Sequence, residues 1–152
     1  MKRVSAKQLK ANRERALWAA PWVQSVGRCM ICGGTLWLRR KDGQVIAGLH
    51  CHEMIRGTAG RARSVEAGEI LCLVACNLCH AGPLDDAKEM PLARQIAHKV
   101  VFEQQRLCLG EFWAIGRASE IIRAVRSAKD NGRSPVIVRL EEVLAEIARM
   151  RT

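Results

Sequence analysis

Residues 29–34 read CMICGG and residues 76–80 read CNLCH, and between these stretches residues 49–53 read LHCHE. Each outer stretch carries two cysteines separated by two residues, a spacing at which a short turn can point both sulfur atoms at one ion. One ion bound by both pairs would clamp two distant segments of the chain together. The alternative is four unrelated buried thiols, since free cysteine packs like a small hydrophobe. We predict a structural zinc ion with four thiolate ligands: Cys29, Cys32, Cys76 and Cys79.

The length and composition indicate a folded chain. With 152 residues, 49% of them hydrophobic, it can build one domain, or a metal-centred core with a helical extension. The seven cysteines are odd in number, and no apolar signal segment precedes the basic start, so a secreted disulfide scaffold is disfavoured. The sequence has no run of eighteen apolar residues. We therefore expect a protein of the reducing cytoplasm without a membrane partner.

The charge predicts a polyanionic partner. Lysine and arginine total 25 against 15 acidic residues, a formal charge of +10, and phosphate backbones are the commonest partner for such a surplus. A membrane surface would compete, but the sequence carries no lipidation signal. Two stretches are candidates for phosphate contact: Arg39, Arg40 and Lys41, and Arg56, Arg61 and Arg63. The second stretch could be an ordinary surface connection, but its position beside the histidines favours phosphate contact.

The stretch between the cysteine pairs has the pattern of a β-hairpin. Residues 35–39 and 44–51 are β-prone and flank an Asp-Gly turn at residues 42–43. The second strand would carry the histidines at its end. The two-residue period of a strand puts His50 and His52 on one face and the side chains between and after them on the other.

Helical patterns surround this region. Ser5 is a candidate cap for a first helix that Pro21 would end, and three amphipathic patterns follow residue 91. We divide the chain into a basic helix (1–26), a zinc-clamped core (27–90) and a helical extension (91–152) within one compact domain. The predicted fold class is α+β, with about four helices around the core.

The ordered set of three stretches resembles the HNH nuclease family with its ββα-metal core. The similarity is to the recombination endonuclease VII type and to small phage and bacterial HNH proteins, and it covers residues 27–82. It implies a zinc-stabilised ββα-metal core inside the α+β fold. It also implies a bacterial or phage-encoded protein that acts in the host cytoplasm.

The resemblance further implies a function. Such a protein would be a metal-dependent endonuclease that hydrolyses phosphodiester bonds in DNA, whether branched, single-stranded or duplex. A strand histidine would be the general base, and His80 would help to hold a catalytic divalent ion, Mg²⁺, Mn²⁺ or another, while the zinc stays structural.

The identity of the base depends on the residue before it, which in the family is usually an aspartate or a histidine that ligates the ion. Cys51 precedes His52 and could ligate, with Glu53 nearby, whereas Leu49 precedes His50 and could not. We take His52 as the base and keep His50 as the alternative. Cys51 and Glu53 are then candidate ligands of the catalytic ion.

A second departure from the family leaves alternative functions open. The family's central asparagine is missing, because none occurs between Asn12 and Asn77. A catalytically inactive nucleic-acid-binding module of the same fold is the first alternative, and a zinc-stabilised protein-interaction adaptor is the second. The histidines at 52 and 80 favour the nuclease, because a pure binding module does not need both beside a zinc site.

Overall fold

The computed structural model describes residues 4–35, 37–55, 68–127 and 137–151. In these ranges the α+β prediction is confirmed by four strands and five α-helices. They are α1 (Ala6–Val26), β1 (Trp37–Arg39), β2 (Val45–Ala47), β3 (Leu49–Glu53), β4 (Cys72–Cys76), α2 (Asn77–Ala81), α3 (Leu92–Arg106), α4 (Glu111–Ser127) and α5 (Leu140–Met150). Short 3₁₀ turns cover Gly68–Leu71 and Pro83–Asp85. None of the described helices combines the length and apolar character needed to cross a membrane.

Helix α1 begins as predicted but ends later. The Ser5 hydroxyl accepts a hydrogen bond from the N–H of Gln8 at 3.2 Å and caps the helix. The helix then continues through Pro21 to Val26, and Gly27 closes it at a φ of 69°. Proline removes one helical hydrogen bond, and the turns after it stay helical because their apolar side chains pack on the core: Trp22, Val23 and Val26.

The predicted hairpin forms, but it is shorter than predicted. β1 and β2 pair antiparallel around a turn in which the Asp42 carboxylate accepts a hydrogen bond from the N–H of Gln44 at 2.9 Å. The second strand is interrupted at Gly48. β3 then pairs antiparallel with β4, which places the histidines in a different two-stranded sheet from the hairpin. The physical reason is that β4 is buried along its whole length and offers β3 both a hydrogen-bonding ladder and the core.

A buried lysine ties helix α3 to the start of β4. The Lys99 side chain is fully buried, and its Nζ donates to the Cys72 carbonyl at 2.9 Å. The same ammonium pairs with the carboxylates of Glu69 at 2.7 Å and Glu103 at 3.2 Å. Arg117 on α4 bridges these two carboxylates at 3.0 and 2.8 Å. The network joins α3, α4 and the sheet that carries the histidines.

Replacing Lys99 with methionine is expected to destabilise the protein by about 3–5 kcal/mol, because two partly buried carboxylates lose their ammonium partner and the Cys72 carbonyl loses a hydrogen-bond donor. Urea denaturation followed by circular dichroism measures the loss. The matched control is Lys88→Met at an exposed position, which should change the free energy of unfolding by no more than about 0.5 kcal/mol. Equal effects of the two substitutions would contradict a structural role for the network.

Candidate metal centre and histidine cluster

The first cysteine pair lies in a tight turn between α1 and β1. The N–H of Gly33 donates to the Cys29 carbonyl, and the N–H of Cys29 donates to the Gly34 carbonyl, both at 2.9 Å. Gly33 has a φ of 72°, a conformation that favours glycine. The N–H of Met30 donates to the Val74 carbonyl at 2.8 Å, which fastens the turn to β4.

The second pair lies at the junction of β4 and α2. Cys76 is the last residue of β4 and Cys79 lies within α2, so both sulfurs face the turn of the first pair. The four sulfur atoms of the predicted set lie within 4.8 Å of one another, and those of Cys32 and Cys76 are 3.9 Å apart. Tetrahedral zinc with Zn–S bonds of about 2.3 Å places its sulfurs about 3.8 Å apart. The predicted cysteines therefore form one cluster that fits a metal such as zinc.

The thiols of this cluster perturb one another's protonation. Burial, followed by the charge of Cys29, raises the pKa of the Cys79 thiol. Burial also opposes ionisation of Cys76, but hydrogen bonds from the Cys79 N–H and the neighbouring thiols outweigh it and lower the pKa of Cys76. Four thiolates this close together repel one another. A divalent cation is the partner that lets all four carry charge together.

Three of the four histidines, His50, His52 and His80, meet on one face of the β3–β4–α2 unit. His50 and His52 are two residues apart on β3 and so share a face of the strand. Helix α2 follows β4 directly and brings His80 to that face. The centroid of the His80 ring lies 5.1 Å from that of His50 and 5.4 Å from that of His52. Two antiparallel strands and a short helix thus assemble three imidazoles beside the cysteine cluster.

Asn77 contacts this cluster, although no sequence pattern predicted a role for it. Its side-chain oxygen is hydrogen-bonded to Nε2 of His50. When Nε2 carries the proton donated to this oxygen, Nδ1 of His50 keeps its lone pair free to bind an ion or a proton. One feature of the sequence could have indicated that Asn77 lies near the histidines. It lies three residues before His80, about one helical turn, so both occupy the same side of α2.

Cys51 and Glu53 are not brought to the histidines, contrary to their expected place as ligands of the catalytic ion. The strand period puts them on the opposite face of β3, where the Glu53 carboxylate lies 2.5 Å from Nε of Arg15. Arg15 also donates from Nη2 to the Cys51 carbonyl at 2.8 Å. A hydrogen bond from Cys72 lowers the pKa of the Cys51 thiol despite its burial. Both residues therefore join β3 to α1 and β4.

The predicted phosphate-binding residues divide into two groups. Arg39, Arg40 and Lys41 lie at the end of β1 and in the hairpin turn, and all three are exposed. Arg56, Arg61 and Arg63 fall outside the described residues.

Comparisons of the chain with models of protein families, with curated proteins and with solved structures found no match.

Proposed function

We propose that the protein is a metal-dependent endonuclease of the HNH type that hydrolyses phosphodiester bonds in DNA. The main support for the proposal is that His50, His52 and His80 lie close together on a unit of two antiparallel strands and a helix. The neighbouring cysteines can hold a structural ion without any histidine. The three imidazoles are thus not needed as ligands of that ion.

In this proposal His52 is the general base. Its imidazole takes a proton from the water molecule whose oxygen attacks the phosphorus, and the bond from phosphorus to the 3′-oxygen breaks. Neutral imidazole suits this role because it accepts protons near neutral pH. His52 is half-buried and lies on β3, so the strand backbone limits the positions that its imidazole can take.

His50 and His80 are the proposed ligands of the catalytic ion. A metal-binding histidine usually donates its second N–H to an oxygen that fixes the ring, and Asn77 offers such an oxygen to His50. A divalent ion held there would neutralise charge that develops on the phosphate and the leaving oxygen. Because the nearest ligands are imidazoles, and Glu53 is paired with Arg15, the site favours a transition-metal ion over Mg²⁺.

The charge of the chain supports DNA as the partner. The formal charge is +10, and the hairpin residues Arg39, Arg40 and Lys41 present exposed positive charge. Such charge contributes affinity for phosphates without selecting a base sequence.

Incubation of the zinc-loaded protein with supercoiled plasmid tests the proposal. Nicked and then linear DNA should form with Mn²⁺, Co²⁺ or Ni²⁺, more slowly with Mg²⁺, and not without an added ion. An intact plasmid under all these conditions, with a retained gel shift, would leave the nucleic-acid-binding module as the function. That alternative is favoured by the ion pair of Glu53 with Arg15, which engages the carboxylate nearest in sequence to His52.

A further inference from the structure

A groove of about 800 Å³ separates helix α1 from the β1–β2 hairpin and reaches His50. This volume lies in the range of pockets that hold small organic ligands, about 300–1,000 Å³. On the helix side the groove is lined by short side chains, including Ala16, Ala19 and Ala20, which leave the space open. The hairpin side is formed by Trp37, Gln44 and Val45. We call this space the base groove.

Trp37 gives the base groove an aromatic wall. Its side chain is 65% exposed, although burial of an indole ring is normally favourable. Gln24 from α1 and Gln44 from the hairpin also line the groove, and each side-chain amide can both donate and accept hydrogen bonds. An open aromatic face beside amide groups is the chemistry with which proteins hold an unstacked nucleobase.

Exposed positive charge lies beside the hairpin wall of the base groove. Arg39 lies two residues after Trp37 and so shares its face of β1, directly opposite Val45 in the antiparallel register. Arg40 and Lys41 continue the charge into the turn, and all three are exposed. This charge is complementary to a phosphate backbone entering along the hairpin. His50 of the histidine cluster also lines the groove, beside its β3 neighbours Leu49 and Cys51.

We propose that the base groove holds one unstacked nucleobase against Trp37 while the adjoining phosphate lies at the histidine cluster. The preferred substrate is then DNA with an unpaired nucleotide, in a single strand, a bulge or a mismatch. A base inside a perfect duplex must first leave the stack, which costs free energy that an unpaired base does not. The inference rests on the proposed nuclease function for its cleavage consequence, but base binding is measurable without cleavage.

Binding of two fluorescein-labelled DNA molecules, without added catalytic ion, tests the proposal. One is a fully paired duplex and the other carries a single bulged 2-aminopurine. Wild-type protein should bind the bulged DNA about tenfold more tightly and quench the 2-aminopurine fluorescence, as expected for stacking on an aromatic ring. Trp37→Ala should remove the quenching and the preference, while affinity for the paired duplex stays within about twofold. Trp37→Phe should keep part of both effects.

The matched control is Phe112→Ala, which removes an aromatic ring that is 93% exposed on α4, outside the base groove. It should leave the preference and the quenching unchanged. Equal affinity of the wild type for both DNA molecules would overturn the proposal, and so would an unchanged preference in Trp37→Ala. Either result would leave a peptide as a candidate occupant of the groove.

The base-groove proposal and the nuclease proposal can fail separately. Plasmid that stays intact while the Trp37-dependent preference is present rejects the nuclease alone, and cleavage without the preference rejects the base groove alone.

Discussion

Replacement of Cys76 by serine is expected to release the zinc ion and to unfold the core. Cys76 ends β4 and is the N-cap of α2, so an ion bound by the four cysteines would join the strand, the helix and the turn of the first cysteine pair. Structural zinc contributes about 10–16 kcal/mol to small metal-binding domains, as much as the whole stability of a typical protein. Even a loss of about 5 kcal/mol would lower the melting temperature of a chain this size by about 10–20 °C.

Zinc content by mass spectrometry and thermal melting by circular dichroism measure both effects. The wild type should contain about one zinc ion per chain, and Cys76→Ser should contain almost none. The control is Cys108→Ser, which removes an exposed thiol outside the cluster and should keep both the zinc and the melting temperature. A wild type that is well folded without zinc would refute the metal centre.

Substitution of His52 by alanine is expected to abolish cleavage without disturbing the fold. Loss of a general base typically lowers the rate by about 10² to 10⁴-fold. The four cysteines can hold a structural ion without the histidines, so zinc content, melting temperature and affinity for DNA should stay close to wild type. Single-turnover nicking of plasmid, measured beside zinc content and gel shift, separates catalysis from folding.

Comparison with His80→Ala and His50→Ala distinguishes the general base from the ligands of the catalytic ion. Loss of a proposed ligand, His80 or His50, weakens binding of the catalytic ion, so an excess of Mn²⁺ should restore part of the rate. His52→Ala should resist added metal and respond instead to imidazole in solution. If His50→Ala is the variant that only imidazole rescues, the general base is His50 and not His52. Normal cleavage by all three variants would show that the nicking comes from another site.

Asn77 and the pair of Arg15 with Glu53 show where local patterns stop being informative. The strand period alone indicated that His50 and His52 share a face opposite Glu53. It did not indicate that Arg15, far away in the chain, approaches Glu53 to 2.5 Å. Nor did it indicate that Asn77 bonds to His50, because that contact requires β4 to lie beside β3.

The sequence by itself determined the features that depend on short spacing. These are the two cysteine pairs, the Asp-Gly hairpin turn, the Ser5 cap and the alternation of histidines along a strand, because each is encoded within a few neighbouring residues. Only the tertiary structure decided which strand pairs with β3, which carboxylates surround the buried Lys99, and where α1 leaves a groove beside Trp37. Those features depend on packing between segments far apart in the chain, and the free energy of burial, rather than any local pattern, selects them.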